Sequence, residues 1–201
     1  STPLEKVQAY LQCHERDRVD DQELIFGKKS NFSWNSIYEQ LIPYFDNSLS
    51  RLQQVLLADY NGKLLYNFNP INARIAKNFD MKILSPLLNP EIISYGLKTP
   101  IKYKYDEFQN IGKLPLRSLL KDYNADSLIS KEKLGFNVNT INLWKNFGQK
   151  ICKEFFDNSR IIQDGWVNEE WVNKYIDNPS LPIKYVNKFF GLLAFEIWYR
   201  L

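Results

Sequence analysis

Residues 111–136 read IGKLPLRSLLKDYNADSLISKEKLGF, and their spacing decides the class of fold. Leu114, Leu116, Leu119 and Leu120 recur at helical intervals, with Lys113, Arg117, Lys121 and Asp122 between them, so one face packs and the other stays wet. A loop then leads into residues 130–136, where Lys131 and Lys133 stand beside Gly135, whose missing Cβ lets the backbone turn. An amphipathic helix, a loop and a basic loop are thus expected in that order.

Helical periodicity continues on both sides of this stretch. Ser1, Thr2 or Pro3 opens a helix that carries Leu4, Val7, Tyr10 and Leu11 on one face to about His14. Residues 15–31 are densely charged and read as a solvated connector stopping at Gly27. The acidic residues Asp17, Asp20, Asp21 and Glu23 have no partner ligand at a defined offset and are a weak metal signal. Trp34, Ile37 and Leu41, followed by Leu49, Leu52, Val55 and Leu56, predict two helices broken at Pro43, the second capped by Asn47 or Ser48. Asn61-Gly62 signals a sharp turn, and LLYNFN after it reads as a helix end.

Asn89-Pro90 fits an N-cap followed by the first helical residue. Lys102, Tyr103, Lys104 and Tyr105 alternate over too few residues to predict base stacking and read as a loop edge. Thr140 or Asn142 starts a helix with Leu143, Trp144, Phe147, Ile151, Cys152 and Phe155 on one stripe. Trp166 and Trp171 read as core. Residues 185–201 are apolar almost all round and predict a buried helix, in which Glu196 needs a buried arginine or a helix end. The sum is a mainly α chain of seven to nine helices, a single helical domain over residues 1–201.

Composition narrows the function. With 44% apolar and 15% aromatic residues among 201, the chain can bury a core and is not intrinsically disordered. Its 26 basic and 23 acidic residues leave a net charge of +3, so charge alone implies no nucleic-acid partner. No apolar run approaches the roughly 20 residues of a membrane helix. Cys13 and Cys152 show no CxxC spacing, and His14, the single histidine, cannot complete a Cys/His zinc site, so no metal site is expected. Reduced thiols and a cytoplasmic location are expected.

The order of the last ninety residues carries a resemblance. GKLPLRSLLKDY, SKEKLGFNVNTINLW, GWVNEEWVNKYI and VNKFFGLLAFEIWYRL follow one another as in the C-terminal part of the asparagine synthetase family. That family has a Lys-x-Pro-Leu-Arg helix (here Lys113, Pro115, Leu116, Arg117), a Lys-x-Gly-Phe loop (Lys133, Gly135, Phe136) and a closing Leu-x-x-Phe-Glu-x-Trp helix. Residues 50–88 are similar to the upstream segment, with Asn67, Asn69 and Pro70 where the family has Lys, Asp and Arg, and Asp80 and Lys82 replacing Glu and Arg. Residues 1 to about 45 are not placed by the quoted motifs.

The resemblance implies an ATP-dependent amide-forming ligase, as in asparagine biosynthesis: a carboxylate is adenylated and the adenylate is attacked by ammonia or an amine. It assigns Lys133 as the catalytic cation on the developing charge and points to Lys113, Arg117 and Lys131 for ATP binding. The family's Ser-Gly-Gly-x-Asp-Ser pyrophosphate loop is absent, since the eight glycines never adjoin, as is the glutaminase domain of an amidotransferase. The expected fold is therefore the helical portion of an adenine-nucleotide α-hydrolase-like (PP-loop) synthetase domain, without its parallel-sheet nucleotide-binding half. ATP and Mg would bind only in a complete enzyme, with that half in cis or on a partner chain. No cofactor is expected for the isolated chain. The alternative is a catalytically dead helical protein-interaction module derived from the same family.

Overall fold

The computed structural model describes residues 1–14, 18–129 and 138–201. Along the chain run α1 (Pro3–His14), α2 (Trp34–Phe45), α3 (Arg51–Asp59), α4 (Asn69–Asn78), α5 (Pro90–Lys98), the strands β1 (Tyr105–Asp106) and β2 (Ile111–Gly112), α6 (Leu114–Asp122), α7 (Thr140–Leu143), α8 (Gln149–Phe156), α9 (Arg160–Gln163), α10 (Glu169–Tyr175) and α11 (Ile183–Arg200). The described residues are mainly helical, and the antiparallel pair β1–β2 is their one sheet. Among them no helix is long and apolar enough to cross a membrane. The chain divides into two compact units, residues 1–42 with 136–201, and residues 43–135.

The first unit is built on α11. Val186, Phe189 and Glu196 lie on its buried stripe, three, seven and ten residues apart along one face. Trp144, Cys152 and Phe156 from the rod formed by α7, a π-helical turn (Trp144–Gly148) and α8 join Phe189 in the core, with Ile161, Trp171 and Val172. Gly148 permits that approach, because a Cβ there would lie 2.7 Å from the Phe190 ring. The expectation that α11 is buried all round is corrected: Ile183 in its first turn and Ile197 and Trp198 near its end are exposed.

Residues 18–30 are not a free connector. The backbone at 25–29 runs antiparallel to 165–168: Gly27 N–H donates to Trp166 O (2.9 Å), Lys29 N–H to Gly165 O (2.9 Å) and Asn168 N–H to Ile25 O (2.9 Å). Gly27 is there for proximity rather than to end a helix, since a Cβ would fall 2.3 Å from Gly165 O.

In the second unit α3, a π-helical segment (Tyr60–Phe68) and α4 form one continuous rod over residues 51–78. The turn expected at Asn61-Gly62 is corrected accordingly. Asn61 Nδ2 donates to Leu57 O (2.9 Å), and the Asn69 N–H reaches back five residues to Leu64 O. The break expected at Pro43 is likewise corrected. Pro43 lies in the last turn of α2, where its missing N–H costs one bond before the helix ends at Phe45.

Ser50, not Asn47 or Ser48, caps α3, through a capping box with Gln53. Asn47 instead donates to Tyr44 O (2.9 Å) at the end of α2. The buried Gln54 amide donates to Phe45 O and Asn47 O, both at 3.1 Å, and fixes the turn between the two helices. Asn89 caps α5 as its sequence position predicts, accepting from Glu91 N–H at 2.8 Å.

Candidate functional site

The residues that open the 111–136 stretch are held from three directions within the second unit. β2 pairs with β1 in the register Tyr105 opposite Gly112 and Asp106 opposite Ile111. Asp106 Oδ1 closes the hairpin turn by accepting from Phe108 N–H (2.9 Å) and Gln109 N–H (3.0 Å). From α6, Arg117 Nε donates to Gly112 O at 3.0 Å. Leu114 N–H donates to Lys104 O (3.2 Å), and Lys104 Nζ donates to Gly96 O (2.8 Å), which ties the hairpin to the end of α5.

Lys113, between β2 and α6, adopts a left-handed conformation with φ 61°. The other non-glycine residues at positive φ among those described are Asn31, Asp80, Asn110 and Asn124. Asn and Asp tolerate this region through local side-chain hydrogen bonds, whereas for Lys it costs about 1–2 kcal/mol relative to a right-handed conformation. Beside Lys113 opens a cavity of about 400 Å³ floored by Leu52, Leu56, Leu87, Ile92 and Leu116. Lys104 and Lys113 are the charged side chains on its wall, and no acidic residue lines it. Such a site takes an apolar body and offers it a cation at one end.

The buried carboxylates of the first unit have other work. Glu196 is fully buried. Burial pushes its carboxyl up, but N–H donors of Ile161 (3.0 Å) and Arg160 (2.9 Å), Arg200 Nε (2.6 Å) and Ser159 Oγ (2.7 Å) outweigh burial and hold it below the usual carboxylate range. It thus pairs with an arginine and also seats a helix start, the two roles its sequence position allows.

Asp21 is also held low: against the upward push of burial stand Tyr175 Oη at 2.5 Å and Lys174 Nζ at 3.3 Å. The Tyr185 hydroxyl, 3.3 Å from Asp21, is pushed up by burial and by Tyr175 and Asp21. Asp21 therefore anchors its segment to α10 and α11. Burial alone pushes the Cys152 thiol up to about 12, making it a core side chain rather than a nucleophile.

Of the site residues drawn from the sequence, Lys113 and Arg117 are brought together around Gly112. Lys131 and Lys133 lie outside the described residues. The Arg117 Nε is committed to the backbone, so part of this side chain's role is to hold β2. Lys104 is the site residue that sequence reasoning missed, taken there for part of a loop edge. A lysine nine residues before a Lys-x-Pro turn carries no local signal, and only the hairpin brings it alongside.

The family model described as asparagine synthase matches residues 5–200, nearly the whole chain. No curated protein and no solved structure matches it.

Proposed function

The chain belongs to the asparagine synthase family, and on that premise we propose that it is the helical C-terminal part of an ATP-dependent, amide-forming synthetase. A carboxylate oxygen of the acid substrate attacks the α-phosphorus of ATP, forming an acyl-adenylate as pyrophosphate leaves. Ammonia or an amine then attacks the acyl carbon, AMP departs with the C–O bonding pair, and the nitrogen loses a proton. Negative charge gathers on phosphate oxygens in the first step and on the tetrahedral oxygen in the second. A fixed cation in a site sheltered from water stabilises both.

Lys133 is assigned that role, with Arg117 and Lys131 toward the phosphates, while Lys113, which the resemblance also gives to ATP, stands on the wall of the apolar cavity. The observation that carries the proposal is the family match over residues 5–200 in a chain with no paired glycines for a pyrophosphate loop. Activity then requires a nucleotide-binding half, in cis or on a partner chain. Among the described residues no three His, Cys, Asp or Glu side chains converge, so Mg carried on ATP would draw its protein ligands from that half. Free thiols at Cys13 and Cys152 suit a cytoplasmic setting.

A second reading, an interaction module without catalysis, is favoured by one observation: Asn67, Asn69 and Pro70 replace charged residues of the family pattern. Carboxylate-dependent ATP–pyrophosphate exchange by the complete protein separates the two. Exchange is expected, falling about 100- to 1000-fold in Lys133→Ala with helical circular dichroism unchanged. Undiminished exchange would remove Lys133 from the mechanism, and none in the parent protein would leave the interaction module.

A further inference from the structure

Aspartate is the substrate the family name suggests, yet the cavity beside Lys113 has the wrong chemistry for it. Aspartate carries an ammonium group and two carboxylates, and burying each charge needs a partner. The wall offers mostly apolar side chains, leucine, isoleucine and proline, with two tyrosines, one threonine, two lysines and no carboxylate. Its volume of about 400 Å³ has room for roughly a dozen groups of water size, at about 30 Å³ each.

Lys104 is half-buried and already spends a hydrogen bond on Gly96 O. Lys113 is exposed, and its ammonium makes no hydrogen bond or ion pair among the described residues. Its backbone holds a conformation that glycine would adopt without cost, so local folding does not account for a lysine there.

We infer that this cavity holds the apolar body of a carboxylic acid, whose carboxylate meets Lys113 at the rim. As a statement about substrate class this rests on the ligase reading above: an apolar acid is presented for adenylation in place of aspartate.

Titration calorimetry of the 201-residue chain with hexanoate, octanoate, octan-1-ol and aspartate tests it. Each added methylene is expected to tighten binding of the carboxylates about three- to fourfold, and aspartate is expected to give no heat at millimolar concentration. Lys113→Gly is expected to weaken octanoate about fivefold, leave octan-1-ol unchanged, and leave the melting temperature unchanged or raised. Leu56→Trp, which fills the floor, is expected to abolish binding of both with helicity retained.

No dependence on chain length, equal binding of aspartate, or equal losses for octanoate and octan-1-ol in Lys113→Gly would overturn the inference. Should Leu56→Trp misfold, Lys113→Gly and the chain-length series still decide. Exchange by the complete protein with aspartate but not octanoate would sink the cavity assignment and leave the ligase reading standing. Octanoate binding without exchange in the complete protein would do the reverse.

Discussion

The two units differ in where they keep their apolar side chains. In residues 1–42 and 136–201, Trp144, Trp171, Phe189, Val186 and Ile161 are at most 2% exposed. In residues 43–135 the buried hydrophobic residues among those described are Phe45, Ala58 and Ala76, while Leu84, Leu97 and Leu128 are 76%, 66% and 75% exposed. The first unit is held by tertiary packing and by long-range polar ties, Glu196 to Ser159, Arg160, Ile161 and Arg200 and Asp21 to Tyr175 and Lys174. The second leans on local devices: the Ser50–Gln53 box, the Asn89 cap, the Arg117 and Lys104 ties. A unit that leaves apolar surface accessible keeps it available for a ligand or a partner, and the candidate site lies in that unit.

The contrast can be broken most forcefully at Glu196. Its replacement by Ala leaves Arg200 Nε and the N–H groups of Arg160 and Ile161 without their carboxylate acceptor, and is expected to cost about 3–5 kcal/mol. All five tryptophans lie in the first unit, so urea titration followed by tryptophan fluorescence reads this loss there. A cost under about 1 kcal/mol would show that Glu196 does not hold the unit together. Gly27→Ala comes next, at about 2–3 kcal/mol by the same measurement, because its Cβ has no room against the Gly165 carbonyl.

Acid sharpens the contrast further. Asp21 and Glu196 both have folded-state pKa values below their ordinary 3.8 and 4.5. The unfolded chain therefore binds more protons in that range, and the stability they contribute is present above it and lost as pH falls through the folded values. The fluorescence midpoint of the first unit is expected to fall below about pH 4.5, with a shallower slope in Asp21→Asn. An unchanged slope would mean that the Tyr175 and Lys174 contacts are energetically idle.

The smallest effect is expected in the second unit, where Ser50→Ala costs about 1 kcal/mol of helix stability. Amide exchange over residues 51–59 is expected to accelerate while the fluorescence midpoint stays fixed. A shift of that midpoint would show that the units unfold together.

Most of the helices were legible because helical spacing is a local property: α1, α5, α6 and the helix from Thr140 appear where Leu4 and Val7, Asn89, Leu114–Leu120 and Trp144 place them. Local signals misled where tertiary contacts outweighed them. Asn61-Gly62 has turn chemistry, but the rod on both sides carries the backbone through it. Gly27 looks like a helix stop, and its reason is the Gly165 backbone, 138 residues away in sequence.

For the site, Lys113 and Arg117 were legible from the Lys-x-Pro-Leu-Arg pattern, while the partnership of Lys104 with Gly96 and the cavity between α3, α5 and α6 were not. The sequence by itself determined the helical class, the family and the missing pyrophosphate loop, all of which depend on residue order and spacing. Only the tertiary structure decided that Asp21 is an anchor, that Glu196 joins Arg200 to the start of α9, and that Lys113 stands in a left-handed turn beside an apolar cavity. Those depend on distances between residues far apart in the chain, which periodicity does not encode.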